Sequence, residues 1–131
     1  MAEAELRDVI EAFDRAFSEG RSDDFSRFFA PDARILAHQE EPLVGRDTIR
    51  AAFSALFEGY DTSDYEPHYE VIDVHGDNGY VLGSFTEVLR PRGGTLGTRV
   101  HGRVVQFWRR EEGEWRIQVL LTGRSAPDEE L

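Results

Sequence analysis

The chain has 131 residues, 40% of them hydrophobic, no cysteine and a formal net charge of −11. That length buries one core of ordinary size, and the apolar content is too high for a disordered chain. The acidity argues against nucleic acid or an anionic membrane as partner, since both demand clustered cations, and the missing cysteines exclude a disulfide framework, a thiolate nucleophile and Cys-based metal sites. No apolar run exceeds three residues, so no segment reads as a membrane span. The opening Met1-Ala2-Glu3-Ala4-Glu5 is acidic where a secretory signal is basic, which predicts a cytoplasmic protein. All 15 basic residues are arginine, which removes Schiff-base chemistry at a lysine.

Residues 3–19 predict an amphipathic helix: Leu6, Val9, Ile10, Phe13, Ala16 and Phe17 recur at three- and four-residue spacing, and Gly20 stops it. Ser22 is the expected cap of a short second helix with a Phe25, Phe28, Phe29 stripe, ended by Pro31. Ala33 to Ala37 reads as a strand with Leu43-Val44 as its return. A third helix is expected from the cap Asp47, burying Ile49, Ala52, Phe53, Leu56 and Phe57 before Gly59. Asp61 to Pro67 is polar and turn-rich and reads as a rim loop. Four strands then follow: Tyr69 to His75, Tyr80 to Arg90, Arg99 to Arg110 and Trp115 to Thr122. Short turns join them, so an antiparallel meander is expected. The acidic segment 125–131 reads as a frayed tail behind a single domain of residues 1–124.

Three helices before a meander predict an α+β fold with helices on one face of a curved, cone-shaped sheet, antiparallel or mixed. Gly83 and Gly102 mark bends in long strands, and the wide end of such a cone is a natural pocket. The segments "FFAPDARILAH" and "LVGRDTIRAAF", with "VHGRVVQFWRREEGEWRIQVLLTGRSAP" at the end, resemble the nuclear transport factor 2-like superfamily. The resemblance is to its SnoaL-like and ketosteroid-isomerase-like branches and covers nearly the whole chain. It implies the cone fold and a small-molecule cavity, and says little about chemistry, because the family mixes enzymes with non-catalytic modules.

In the steroid isomerases of that family, a first-helix tyrosine and two aspartates carry the reaction. By motif alignment their positions here hold Phe13, Ala37 and Val105, which can neither donate to an oxyanion nor remove a proton. If Val105 faces the cavity, as the resemblance implies, strand alternation carries Phe107, Arg103 and His101 with it. A reversal at Gly93-Gly94 opposes residues whose numbers sum to about 188, setting His101 opposite Glu87. The candidate catalytic set is then His101 handling a proton, Glu87 orienting it and Arg103 holding substrate charge. The alternative is a structural ion-pair cluster at a wet mouth.

Candidate ligand-binding residues are Phe13, Phe17, Phe53, Phe57, Phe85 and Phe107, with Ala37, His38, Val105, Gln118, Leu120 and Thr122. The four histidines lack metal-ligand spacing, so no metal is expected, and no cofactor either. Trp108, Trp115, Leu82, Val104, Ile117, Val119 and Leu121 fall on the opposite parity, predicting a second apolar face covered by a second subunit in a homodimer. The functional expectation is binding of a small hydrophobic or aromatic molecule, with cofactor-free isomerase, cyclase or dehydratase chemistry. The alternative is a non-catalytic ligand-binding or dimerisation module.

Overall fold

The computed structural model describes residues 2–37, 39–94 and 96–131. In chain order it has α1 (Ala2–Ser18), α2 (Ser22–Arg27), β1 (Phe29–Ala37), β2 (Leu43–Val44) and α3 (Arg46–Gly59). The long strands β3 (Tyr60–His75), β4 (Asn78–Pro91), β5 (Thr98–Glu111) and β6 (Glu114–Arg124) follow, then the two-residue β7 (Glu129–Glu130). Helix α1 buries Leu6, Ile10, Phe13 and Ala16 on one stripe, and Gly20 leaves it with a positive φ of 67°. The expected caps are not used. Arg21 and Gly45 hold the N-cap positions of α2 and α3, while Ser22 and Asp47 lie within the first turns.

The sheet order is β2-β1-β6-β5-β4-β3, with β7 pairing β5. Strands β3 to β6 form the expected antiparallel meander, and β1 joins β6 in parallel, so the curved, unclosed sheet is mixed. This is the α+β architecture anticipated above. The segment 61–67 is not a loop; it is the first half of β3, paired with β4 from Tyr60 opposite Pro91 onward. Its polarity reflects an edge strand whose outer side is wet. The tail is not frayed: Glu129 and Glu130 pair with Arg99 and Thr98.

The register of β4 on β5 departs from the expectation by one residue. Glu87 opposes Val100, Phe85 opposes Gly102, and His101 opposes Thr86. A tight turn does form after Pro91, with Gly94 N donating to Pro91 O at 3.0 Å and Gly93 at a positive φ of 80°, but β5 begins only at Thr98, so the two strands are not joined by that turn alone. Because side chains alternate, a slip of one residue exchanges the two faces of a strand. Val100, Val104, Gln106 and Trp108 therefore face the helices and are buried. His101, Arg103, Val105 and Phe107 lie on the outer face, and Phe107 is 49% exposed. Trp108, Trp115 and Ile117, expected outside, form the core floor with Phe29 and Leu6.

A bulge explains β6. The pairing jumps from Trp108–Ile117 to Phe107–Val119, leaving Gln118 as the extra residue. Ile117 and Leu120 can then both point inward, and Gln118 is removed from the alternation. The inward rows carry glycine where space is short. A Cβ on Gly102 would sit 2.3 Å from the Phe85 ring, so only glycine lets that ring lie across β5.

Candidate active site

A cavity of about 180 Å³ lies between the helices and the inner face of the sheet. Its helical wall is Phe13 and Phe17 from α1, Phe25 from α2, and Phe53 and Leu56 from α3. The sheet contributes Phe85, Val104 and Leu120. The rings hold each other: Phe13 stacks on Phe25 at 4.9 Å, and Phe17 meets Tyr65 edge-on at 4.9 Å. Into this aromatic chamber project Asp14, Tyr65, Glu87, Gln106, Thr122 and Arg124.

The two carboxyls are the chemically distinctive groups. Glu87 stands on β4 between Tyr65 and Val100, and burial pushes its pKa up to about 7 against a smaller opposing pull from Arg124. Asp14 on α1 is raised to about 6, first by burial, with a hydrogen bond from Tyr69 acting the other way. The Tyr69 hydroxyl donates to Asp14 Oδ2 at 2.6 Å, while the buried Oδ1 has no hydrogen-bond partner among the described residues. Tyr65 and Tyr69 perturb one another, and burial drives both phenols upward, so each stays a neutral donor. Gln106 is fixed from below, its Oε1 accepting from Trp108 Nε1 at 2.8 Å.

Arg124 marks the opening. It and Thr122 line both the cavity and a wider groove of about 760 Å³ shared with Ala37, Gln39, Glu40 and residues 126–128. The Arg124 Nε donates to Asp128 Oδ1 at 2.9 Å.

Of the expected site residues, Phe13, Phe17, Phe53, Phe85, Glu87, Leu120 and Thr122 meet around this cavity. Ala37 borders only the outer groove, and Phe57 is buried behind Phe17 and Phe53. Gln118 is lost to the bulge, and His38 lies outside the described residues. The catalytic trio does not assemble. His101 sits on the far side of the sheet with its Nε2 3.6 Å from Glu129, and Arg103 is exposed there too. Asp14, Tyr65, Tyr69, Gln106 and Arg124 were missed. Tyr65 and Tyr69 are four apart on one strand face, a signal hidden once 61–67 is read as loop. The described residues contain no cluster of three or more metal-ligating side chains, and no helix is long and apolar enough to cross a membrane.

The helix-backed α+β cone, with a small chamber and ionisable groups on its inner wall, has the architecture of the nuclear transport factor 2-like superfamily. The SnoaL-like domain model matches residues 1–120, and the chain belongs to that family. Solved structures share the fold at low identity. A conserved protein from Planctomyces limnophilus superposes with a TM-score of 0.84 at 17% identity, covering 96% of this chain and 94% of that one. A ketosteroid isomerase-like protein from Erwinia carotovora atroseptica gives 0.81 at 15%, covering 92% and 94%. An NTF2-like protein with a cystatin-like fold from Novosphingobium aromaticivorans gives 0.73 at 15%, covering 93% and 80%. None of the curated proteins matches the chain in sequence.

The Glu87 environment leads to a stability prediction. Its folded pKa of about 7 exceeds its ordinary 4.5, so the folded chain holds this proton more tightly than the unfolded one. The resulting stability is complete below the unfolded value and is lost as pH rises through about 7. Glu87→Gln should therefore leave stability unchanged near pH 4 and raise it by about 2 kcal/mol at pH 8, read by denaturant unfolding. Parallel stability–pH curves for the two proteins would contradict the assignment.

Proposed function

We propose that the cavity binds a ring-sized, largely apolar organic molecule and that Glu87 moves a proton on it without a cofactor. The observation that carries this reading is the Glu87 carboxyl on the wall of a chamber lined largely by phenylalanines, where burial raises its pKa toward neutrality. As carboxylate, Glu87 takes a proton from a carbon or oxygen of the ligand; as acid it returns that proton elsewhere. Net proton balance is zero, as isomerisation, cyclisation and dehydration each require of a shuttle. Tyr65 and the Gln106 amide supply neutral polar contacts along the chamber wall. Asp14 Oδ1, unpaired and buried, offers an acceptor for a ligand hydroxyl. A dry cavity of roughly 150 Å³ holds benzene, so about 180 Å³ suits one ring and is too small for a fused four-ring skeleton.

A simple carbonyl probe tests this. Cyclohexanone in heavy water should raise the melting temperature, and the protein should accelerate exchange of its α-hydrogens by roughly 10²- to 10⁴-fold over buffer. Glu87→Gln should keep the thermal shift and lose the exchange. Exchange that survives the substitution would overturn the role of Glu87, whereas a thermal shift without accelerated exchange in the wild-type chain would leave a non-catalytic ligand-binding module.

We also infer a homodimer through the outer sheet face. Leu36, Leu121, Val105, Leu82 and Val71 are register partners in one row across five strands. Beside it runs Arg34, Val119, Phe107, Tyr80, Asp73. Phe107 and Leu121 are 49% and 45% exposed in the single chain, too much contiguous apolar surface to leave wet. The second row ends in an arginine on one side and an aspartate on the other. A second copy related by a twofold axis along the strands lays opposite charges over one another. Light scattering at micromolar concentration should give twice the chain mass, falling to one chain mass for the Phe107→Lys, Leu121→Lys double variant. A wild-type monomer would refute the interface.

A further inference from the structure

Among the described residues the cavity has one cation on its wall, and it stands at the door. Arg124 ends β6, lines both the chamber and the outer groove, and is half-exposed. The turn that follows is tied down on both sides. Ser125 N donates to His101 O at 3.0 Å, and Leu131 N donates to Gly97 O at 2.9 Å. Arg99 pairs with Glu129 at 3.4 Å. Within this strap, Asp128 accepts from Nε of Arg124 and thereby orients the guanidinium plane. The two terminal amino groups of Arg124 make no hydrogen bond to any described residue, although a guanidinium presents five donors. An oriented fork with a free edge, at the mouth of an apolar chamber, matches a planar anion.

We propose that the ligand of this cavity is a small cyclic or aromatic carboxylate, its ring seated among the phenylalanines and its carboxylate gripped by the free edge of Arg124. The inference rests on the ring-binding reading above and adds the charge of the ligand. It has a consequence in protons. Around Glu87 the register sets Tyr65 of β3 and Val100 of β5 beside it, and the cavity wall they share carries Asp14 from α1, Phe53 and Leu56 from α3, Gln106 from β5, and Thr122 and Arg124 from β6. Of these only Arg124 is cationic. An incoming carboxylate takes up that charge, leaving Glu87 easier to protonate, so anion and proton bind together. Affinity for the anion then falls as pH rises through 7, and affinity for a neutral ring does not.

Benzoate and benzyl alcohol separate the possibilities, because they share a ring and differ in charge from pH 6 to 9. Calorimetric titration of the intact chain should show benzoate bound more tightly than benzyl alcohol. Benzoate binding should come with proton uptake at pH 7, detected by comparing buffers of different ionisation heat. Arg124→Gln should weaken benzoate by about ten- to a hundredfold and leave benzyl alcohol unchanged, and Glu87→Gln should abolish the proton uptake. Circular dichroism confirms that each variant is folded. Equal binding of the two probes, insensitive to Arg124, would overturn the anion inference while the ring-binding reading stands. Failure of both probes to bind the wild-type chain would overturn both.

Discussion

Glu87 sits opposite Val100, and from that one pairing across β4 and β5 the interior of this protein follows. It sends Phe85, Val104, Gln106 and Trp108 toward the helices, and His101, Arg103 and Phe107 away from them. The pairing is held from both ends. Toward the closed end, Trp108 and Ile117 fill the space under Phe29 and Leu6. Toward the mouth, the Phe85 ring covers the bare backbone of Gly102, a contact that a side chain there would forbid. Shifting the register by one residue would expose Trp108 and Val104 and bury Arg103, at a cost of several kilocalories per mole.

The same pairing turns Glu87 into the chamber, and the docking of α1 on β3 brings Asp14 to its wall. Desolvation disfavours their charged forms, and each has few partners to offset it. Their environments differ. Asp14 is held by a tyrosine hydroxyl on one oxygen, whereas burial at Glu87 is opposed by the charge of Arg124. Two acids with separated surroundings and raised pKa values are the arrangement that the proton-transfer proposal draws on.

Much of this was readable before any coordinates. The 3.6-residue periodicity of Leu6, Ile10 and Phe13 and the alternation along the four last strands marked the helices and the meander, because burial on one face imposes those periods. The aromatic lining was readable for the same reason. What failed was parity, which depends on how residues between Pro91 and Thr98 close a turn and on a bulge at Gln118. Neither leaves a mark in local composition. Asp61 to Pro67 looked like loop because an edge strand has no apolar outer side to announce it. The contact of Asp14 with Tyr69 joins positions 55 residues apart, and only docking of α1 onto β3 creates it.

The central claim is that Glu87 lies inside the chamber and there keeps its proton to near neutrality. Its side-chain carboxyl carbon, followed by NMR across pH in labelled protein and assigned with Glu87→Gln, reports this directly. The account predicts a titration midpoint of about 7. A midpoint in the range of the surface glutamates would place the side chain in water and contradict it.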